Sequence, residues 1–472
     1  ALSRGTDALR MLLSVLLLLL VSSTQATHFY GTVMTYYPKD NGNGTITVIL
    51  RYKLSFHHCS GSYTWTCTSG FDCGVLTQSF LREVDRESNG EWCQREGLLL
   101  SSNDSSNAPF QMQLDGGNWI DNIVNGIQNW KAVTGVELRN RSDTGMANTS
   151  PQTTILPALR VPSNCQRDFD LLAFDPDGDV VKCRNGAGSE CDPCTPPSVL
   201  SLTSSSCKLS FSPTNSSSEG PYAVQLMMED FPRQSITLTQ TNGEQVVKST
   251  SDAISKIPIQ FVVKVDPVAP SCTEGHFLPK FLAPTPANRA QLYIPVNQVL
   301  EIPIRAEAAN SVISELLFSG PHNVNQNDLG SGNFSLTWTP SEQEDGQSHP
   351  ICFVIQANSS SRLYHSELRC LIVTVGNFTY NYHISAYNNH LFTYNYHSST
   401  YNNHCFTYNY HSSAYNYHSF TYNHHHLTNY YSSAYNNHCF NYNYHSSAYN
   451  YHISTYNYHI STCNFSSYPT HV

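Results

Sequence analysis

From residue 27 to residue 376 the apolar positions fall in short runs, and no long 3.6-residue periodicity appears. Strand-like runs include Thr45-Ile-Thr-Val-Ile-Leu-Arg-Tyr52, Ile257-Pro-Ile-Gln-Phe-Val-Val-Lys-Val265 and Val299-Leu-Glu-Ile-Pro-Ile-Arg-Ala306. Gly, Asn, Pro and Ser clusters separate them, the spacing of a sandwich. Asn41-Gly-Asn-Gly-Thr45 lies between two such runs and predicts a hairpin turn. The best helix candidate is 117–130, which Gly117 and Gly126 weaken. Pro-bearing strings at Thr149-Ser-Pro-Gln and Asp266-Pro-Val-Ala-Pro-Ser-Cys272 divide this body into 27–148, 149–267 and 268–376. The expected fold class is all-β: tandem disulfide-braced β-sandwich modules, the first rich in Cys and Trp, followed by a disordered low-complexity tail over 377–472.

The N-terminal pattern is of another kind. After Met11 the stretch Leu12–Val21 is almost continuous leucine, and Ser22-Ser23-Thr24-Gln25-Ala26 follows. An apolar run of about ten residues is too short for the roughly 20 that span a bilayer. Residues 1–26 are therefore read as leader and signal peptide, cleaved after Ala26. No later segment is apolar enough to span, so any surface attachment would come from a C-terminal region absent from this sequence.

Cysteine usage agrees with secretion. Twelve of fifteen cysteines lie in the body: Cys59, Cys67, Cys73, Cys93, Cys165, Cys183, Cys191, Cys194, Cys207, Cys272, Cys352 and Cys370. They are expected to pair among themselves, with Cys352–Cys370 as one bridge and Cys191 or Cys194 in another. Cys191-Asp-Pro-Cys194 also has metal spacing, but no second close pair completes a zinc site. Seven glycosylation sequons share the body, at Asn43, Asn103, Asn140, Asn148, Asn215, Asn333 and Asn358. A formal charge of −10 over 472 residues argues against nucleic acid, which needs basic patches.

Composition breaks near Gly376. Beyond it there is no Asp, Glu, Lys or Arg, and 21 of the 29 tyrosines lie there. A seven-residue unit recurs, roughly [Thr/Ala]-Tyr-Asn-[Tyr/Asn]-His-x-x. Without an aliphatic seam or flanking charges it is no coiled coil, and it lacks the aliphatic residues for a packed core. Tyr, Asn and His codons share the form N-A-pyrimidine. With C in the third place and the frame moved one base, the unit becomes Pro-Thr-Thr-Thr-Thr-[Ala/Ser]-[Ala/Ser], the composition of an O-glycosylated mucin-like stalk. The shift accounts at once for the missing charge, the regular period and the three leftover cysteines, Cys405, Cys439 and Cys463.

The most specific motif of the body is Leu172-Ala-Phe-Asp175-Pro-Asp177-Gly-Asp179-Val-Val. Three carboxylates at alternate positions on a tight turn fit two readings. One is convergence on calcium, which takes six to eight oxygens. The other is a turn whose aspartates cap the backbone. The unit continues through Gly220-Pro-Tyr222 and Met-Met-Glu-Asp230 to Val262-Val-Lys-Val-Asp266 and the Ala-Pro of the boundary. Here the chain resembles cadherin-like extracellular repeats, and Val84-Asp85-Arg86-Glu87 looks like the acidic motif those repeats place before a linker. The resemblance implies a possible calcium site at Asp175, Asp177, Asp179 and Asp230. It departs at the linkers, which lack the full Asp-x-Asn-Asp-Asn run, and at Arg305-Ala-Glu307-Ala-Ala, which has no aspartate pair. The third unit, with Phe334-Ser-Leu-Thr-Trp338, a Gly346 turn and Cys352-Phe-Val-Ile, resembles the broader class of Ig- and cadherin-like modules.

No Gly-x-Ser-x-Gly, His-Glu-x-x-His, phosphate loop or Gly-x-Gly-x-x-Gly occurs. His57-His58-Cys59 reads as a disulfide cysteine beside two surface histidines. Two function classes follow. The first is a non-enzymatic adhesion or mucosal-surface protein presenting β modules on a glycosylated stalk; the second is a secreted module recognising an extracellular protein or glycan. The frame reading carries its own test. Resequenced cDNA across Val375 to Tyr380 should show that one inserted or deleted base restores a Pro-Thr frame. Tyrosine-rich peptides of residues 377–472 recovered from native protein by mass spectrometry would refute it.

Overall fold

The computed structural model describes residues 28–376, apart from 42–44, 58, 60–62, 69–72, 88–89 and 104–105, together with separate strands between 383 and 454. The leader and signal peptide expected over 1–26 lie outside the described residues. Two compact units divide at Gly376, where the composition breaks. Among the described residues no helix is long and apolar enough to cross a membrane.

The predicted runs are strands. The 45–52 run belongs to Ile46–His57, the 257–265 run to Lys256–Asp266 and the 299–306 run to Leu300–Glu307. The predicted hairpin joins Phe29–Asp40 to Ile46–His57, with Asn41 N–H donating to the Thr45 carbonyl at 3.1 Å. The helix considered for 117–130 does not form. Left-handed φ angles at Asn118, Asn122 and Gly126 break the run into turns, and Trp119 and Trp130 are buried from this irregular stretch.

The boundary expected at 148/149 is not a break in the sheet. Eleven strands from both sides of it form one sheet, and Lys256–Asp266 is where they meet. Seven consecutive residues of that strand, Ile257 to Val263, are buried, so both of its faces need cover. Gly220–Phe231 pairs with it antiparallel and Ala158–Pro162 parallel. Near its start it also meets Phe29–Asp40 at Val33↔Ile259 and Trp130–Val136 at Gly135↔Lys256. A core containing Phe29, Tyr36, Trp92, Trp119, Trp130, Val224 and Phe261 fills the space around the sheet.

Among the described residues no sheet crosses 267/268. The last module is a sandwich of a four-stranded and a five-stranded sheet. Leu300–Glu307 alternates, burying Ile302, Ile304 and Ala306 while Glu301, Pro303 and Arg305 face out. Ile302, Ile304, Leu336 and Trp338 from one sheet meet Ile351, Phe353 and Leu371 from the other.

All twelve body cysteines pair among themselves: Cys59–Cys93, Cys67–Cys73, Cys165–Cys272, Cys183–Cys207, Cys191–Cys194 and Cys352–Cys370. Six disulfides in an all-β body belong to a chain made in an oxidising, extracellular-type compartment. In the second unit the described backbone is extended, and strands pair in parallel two repeats apart, as in His390↔His404 and Tyr394↔Tyr408. Its side chains, and so the expected lack of a packed core, lie outside the described residues.

Cys165–Cys272 closes a loop of 107 residues across the 267/268 junction. On the chain-entropy account a loop of this length stabilises by about 4.8 kcal/mol. The double variant Cys165→Ala/Cys272→Ala should lose roughly that much in chemical denaturation. Non-reducing peptide mapping should recover the two cysteines in one cross-linked peptide.

Candidate metal centre

The Asp175-Pro-Asp-Gly-Asp179 segment folds as a turn into the strand Val180–Asn185. Gly178 takes φ +82° and its N–H donates to the Asp175 carbonyl at 3.2 Å. Asp175 Oδ1 accepts from the backbone N–H groups of Asp177 (2.9 Å) and Asp179 (3.0 Å), so this oxygen caps the turn. Its other oxygen, Oδ2, is buried without a hydrogen-bond partner.

Strand register brings in the distant member. Val181 pairs with Asp230, which places the end of Gly220–Phe231 beside the turn. Asp230 is fully buried: Oδ1 accepts from Ser255 N (2.9 Å) and Ser255 Oγ (2.6 Å), and Oδ2 from Asn148 Nδ2 (2.7 Å). One oxygen from each of Asp175, Asp179 and Asp230 lies within 4.8 Å of the others. Oxygens on opposite sides of a calcium ion, each about 2.3–2.6 Å away, stand about that far apart. Of the four aspartates expected to converge, Asp177 is the exception: its Oδ2 accepts from Thr149 N at 2.7 Å.

Sequence reasoning missed the cation inside this cluster. Arg141, on the short strand Asn140–Arg141, has a side chain only 1% exposed. Its guanidinium grips Asp143 through Nε (3.0 Å) and Nη2 (2.9 Å) and Asp179 through Nη2 (2.9 Å) and Nη1. Nη1 also donates to Asn148 Oδ1 at 2.6 Å and stands 3.5 Å from Asp177 Oδ2. Tyr36 Oη accepts from Asn148 Nδ2 at 3.3 Å. Nothing in the spacing of Arg141, Asn148 or Ser255 marks them as partners of the Asp motif.

Three carboxylates, Asp143, Asp177 and Asp179, thus meet one guanidinium, and Asp175 and Asp230 gather beside Asp179. Burial opposes the charge on Arg141, but the hydrogen bonds of Asp179 and Asp143 outweigh it and hold the group firmly protonated. Asp143 is held below the usual carboxylate range by its bond to Arg141. Asp175 is pushed up to about 8, first by burial and then by the charge of Asp230. Burial also pushes Asp177 and Asp230 upward. The donor set, its unpaired oxygen and its excess negative charge fit a hard divalent cation. Beside the cluster a cavity of about 160 Å³, lined in part by Asp40, Asn107, Asn140, Thr149 and Asp177, leads toward solvent.

Among the other candidate residues, Asp85 and Asn148 are placed differently from expectation. Asp85 is buried and accepts from Trp92 Nε1 at 3.2 Å and Gln356 Nε2 at 3.4 Å, so it is an interior acceptor rather than part of a linker. Cys59 of the His57-His58-Cys59 cluster is in a disulfide. Asn140, Asn215 and Asn358 are exposed and Asn333 is half-buried, while Asn43 and the side chain of Asn103 lie outside the described residues. Asn148 is corrected: it is fully buried and both ends of its amide are bonded inside the cluster.

No protein-family model matches the chain, and no curated protein matches it. Among solved structures it is similar to an endo-fucoidan hydrolase of glycoside hydrolase family 107, at 14% identity over 69% of this chain and TM-score 0.17. The chain spans 42% of that hydrolase's length. It is also similar to Drosophila N-cadherin EC1-4, at 14% identity over 65% of this chain and 71% of that one, TM-score 0.18. The protocadherin GammaB4 extracellular domain overlaps at 10% identity over 72% and 61%, TM-score 0.18. TM-scores this low fix neither family nor activity.

The burial of Asn148 has a direct readout. Glycopeptide mapping of secreted protein should find Asn148 unmodified and Asn140, Asn215 and Asn358 occupied. A glycan on Asn148 in folded protein would contradict the cluster geometry.

Proposed function

We propose that this chain is a non-enzymatic secreted or cell-surface adhesion or mucosal protein. Its disulfide-braced β body engages an extracellular protein or glycan ligand, and one calcium ion held by Asp175, Asp179 and Asp230 locks that body. The glycosylated stalk of this reading is the restored frame after Gly376. The observation that carries the calcium claim is the buried, unpartnered Oδ2 of Asp175 inside a cluster with more carboxylates than cations. An ion there has a structural role. It would join the 175–179 turn to the end of Gly220–Phe231 and, through Asp230 and Ser255, to the start of Lys256–Asp266. The alternative, a secreted ligand-binding module with an incidental tail, is favoured by a separate basic cavity described below.

Without the ion, Asp175 retains a proton to about pH 8 in the folded state, well above its unfolded value near 4. Its contribution is fully present below the unfolded pKa and is lost as pH rises through the folded one. His349 and His365 are held low, chiefly by burial, so they weaken the fold only as pH falls below about 6.5. Between pH 7 and 8, therefore, the calcium-free Tm should fall relative to that of Asp175→Asn, a comparison in which Lys53, lowered to about 8 and acting in the opposite direction, is common to both proteins. Millimolar calcium should raise Tm more at pH 8 than at pH 6.5, by about 2.7 kcal/mol of stability when it stands at 100 times Kd. Beads coated with the protein should aggregate in calcium and disperse in EDTA. No calcium shift, or the same shift in Asp175→Asn, leaves the aspartates as turn caps; beads indifferent to calcium remove the adhesive role.

A further inference from the structure

A second buried charge cluster has the opposite sign. Lys53 and Arg51 on Ile46–His57 and Arg82 on Val75–Glu87 face a single carboxylate, Glu96 on Gly90–Asn103. Glu96 stands 3.2 Å from Arg51 Nη1 and 3.3 Å from Lys53 Nζ, and its side chain is 4% exposed. The last module closes over this group: Lys53 Nζ donates to the Gly320 carbonyl, and Arg82 Nη2 donates to the carbonyls of His322 (2.9 Å) and Val324 (2.5 Å). His322 and His349 complete the set. Burial keeps both below the usual histidine range, so at neutral pH neither adds charge. Three cations then stand against Glu96, with Glu344 acting on His322 from the last module. Burial, with the charges of Arg82 and Arg51, lowers Lys53 to about 8 despite Glu96, as expected of a cation lacking enough counter-charge.

Beside Lys53, Arg82, Glu96 and His322 lies a cavity of about 140 Å³, lined also by Phe80 and Phe318 among others; Arg51 and His349 are not in its wall. A water takes about 30 Å³ of liquid volume, so the space holds roughly five waters, enough for a carboxylate or sulfate and the edge of a sugar ring. Its walls are fixed before any ligand arrives. The His322 ring stacks on Phe80 with centroids 3.6 Å apart, and the Arg82 guanidinium lies 4.3 Å over the ring of Phe318. His322 Nδ1 is buried without a hydrogen-bond partner.

We propose that this cavity binds a single oxyanion, the carboxylate or sulfate of an acidic glycan, held by Lys53, Arg82 and His322. The bound anion supplies the missing counter-charge, and the aromatic walls cover the apolar face of the sugar that carries it. The proposal rests on the ligand-binding side of the proposed function and does not involve the calcium ion.

Isothermal titration of the full secreted chain in low-salt buffer with EDTA tests it. The probes are N-acetylneuraminic acid, sodium sulfate and, as a neutral control, N-acetylglucosamine. Saturable binding is expected for at least one anion, weakened by added sodium chloride, and none for the neutral sugar. The anion that binds better distinguishes a carboxylate from a sulfate ligand. Lys53→Met and His322→Ala should each weaken binding about tenfold or more, the effect of losing a charged or directed hydrogen bond. Should Lys53→Met fail to fold, His322→Ala, on a partly exposed loop, decides alone. No saturable binding of either anion, equal binding of the neutral sugar, or unchanged binding in the folded variants overturns the site. If that happens while the calcium shift persists, the anion site alone is lost.

Discussion

The body depends on one strand that cannot be left uncovered. Lys256–Asp266 is buried along almost its whole length, so its backbone groups and both side-chain faces must be satisfied by neighbours. Those neighbours come from residues 29–40, 130–136, 158–162 and 220–231. The approach of Phe29–Asp40 is closer than a side chain permits. A Cβ built on Gly31, where φ is +128°, would stand within 3 Å of the Gln260 carbonyl group. Only glycine lets the two backbones meet there. The junction therefore joins the first two sequence segments into one sheet rather than two beads on a linker.

The acidic cluster is a consequence of that junction. Ser255, which holds Asp230, immediately precedes the shared strand; Tyr36 and Asn148 come from the segment that packs beside it. Removing one partner from such a buried ionic group costs about 3–5 kcal/mol, because the other charge is left unpaired. Replacing the whole group with apolar side chains is often neutral or better. The cluster is thus weak evidence of added stability and better evidence of a role. Arg141 reaches only Asp143, Asp177 and Asp179, and Asp175, raised first by burial and then by the charge of Asp230, keeps one oxygen unpaired.

What the sequence could show follows from the range of each interaction. Strands, the hairpin after Asp40 and the break at Gly376 depend on neighbouring residues, and patterning finds them. The Cys352–Cys370 bridge was legible because its cysteines lie in flanking apolar runs that pair directly, Cys352 opposite Cys370. The continuous sheet was not, because the Pro-bearing string at 149–152 looks like a linker while the pairing that denies it spans over 200 residues, as at Val33↔Ile259. Asn148 shows the same limit in one residue. Its sequon is a local signal for exposure, and its burial depends on Arg141, Asp230 and Tyr36. In 117–130 the apolar spacing was suited to a helix, but positive φ at two asparagines and a glycine decided otherwise.

The last module raises the question of whether the body is a flexible rod. An Asp-poor junction at 266–272 would by itself permit motion, since modules joined by short linkers usually move unless a sizeable interface holds them. Here the interface is interior. Ser319 Oγ is bonded to both Thr154 Oγ1 (2.7 Å) and Gln94 Oε1 (2.6 Å), and all three residues are buried. Leu317, Cys352, Val354 and Cys370 of the last module belong to the core of the large sheet. Arg160 pairs with Asp266 just before the junction, and Cys165–Cys272 ties across it. A junction that lacks a chain of calcium ligands is instead fixed by shared core and covalent bond. The consequence for binding is energetic. Lys53 and Arg82 on one side of the seam and His322 on the other are held in place before a ligand arrives, so little ordering entropy is spent in forming a site there.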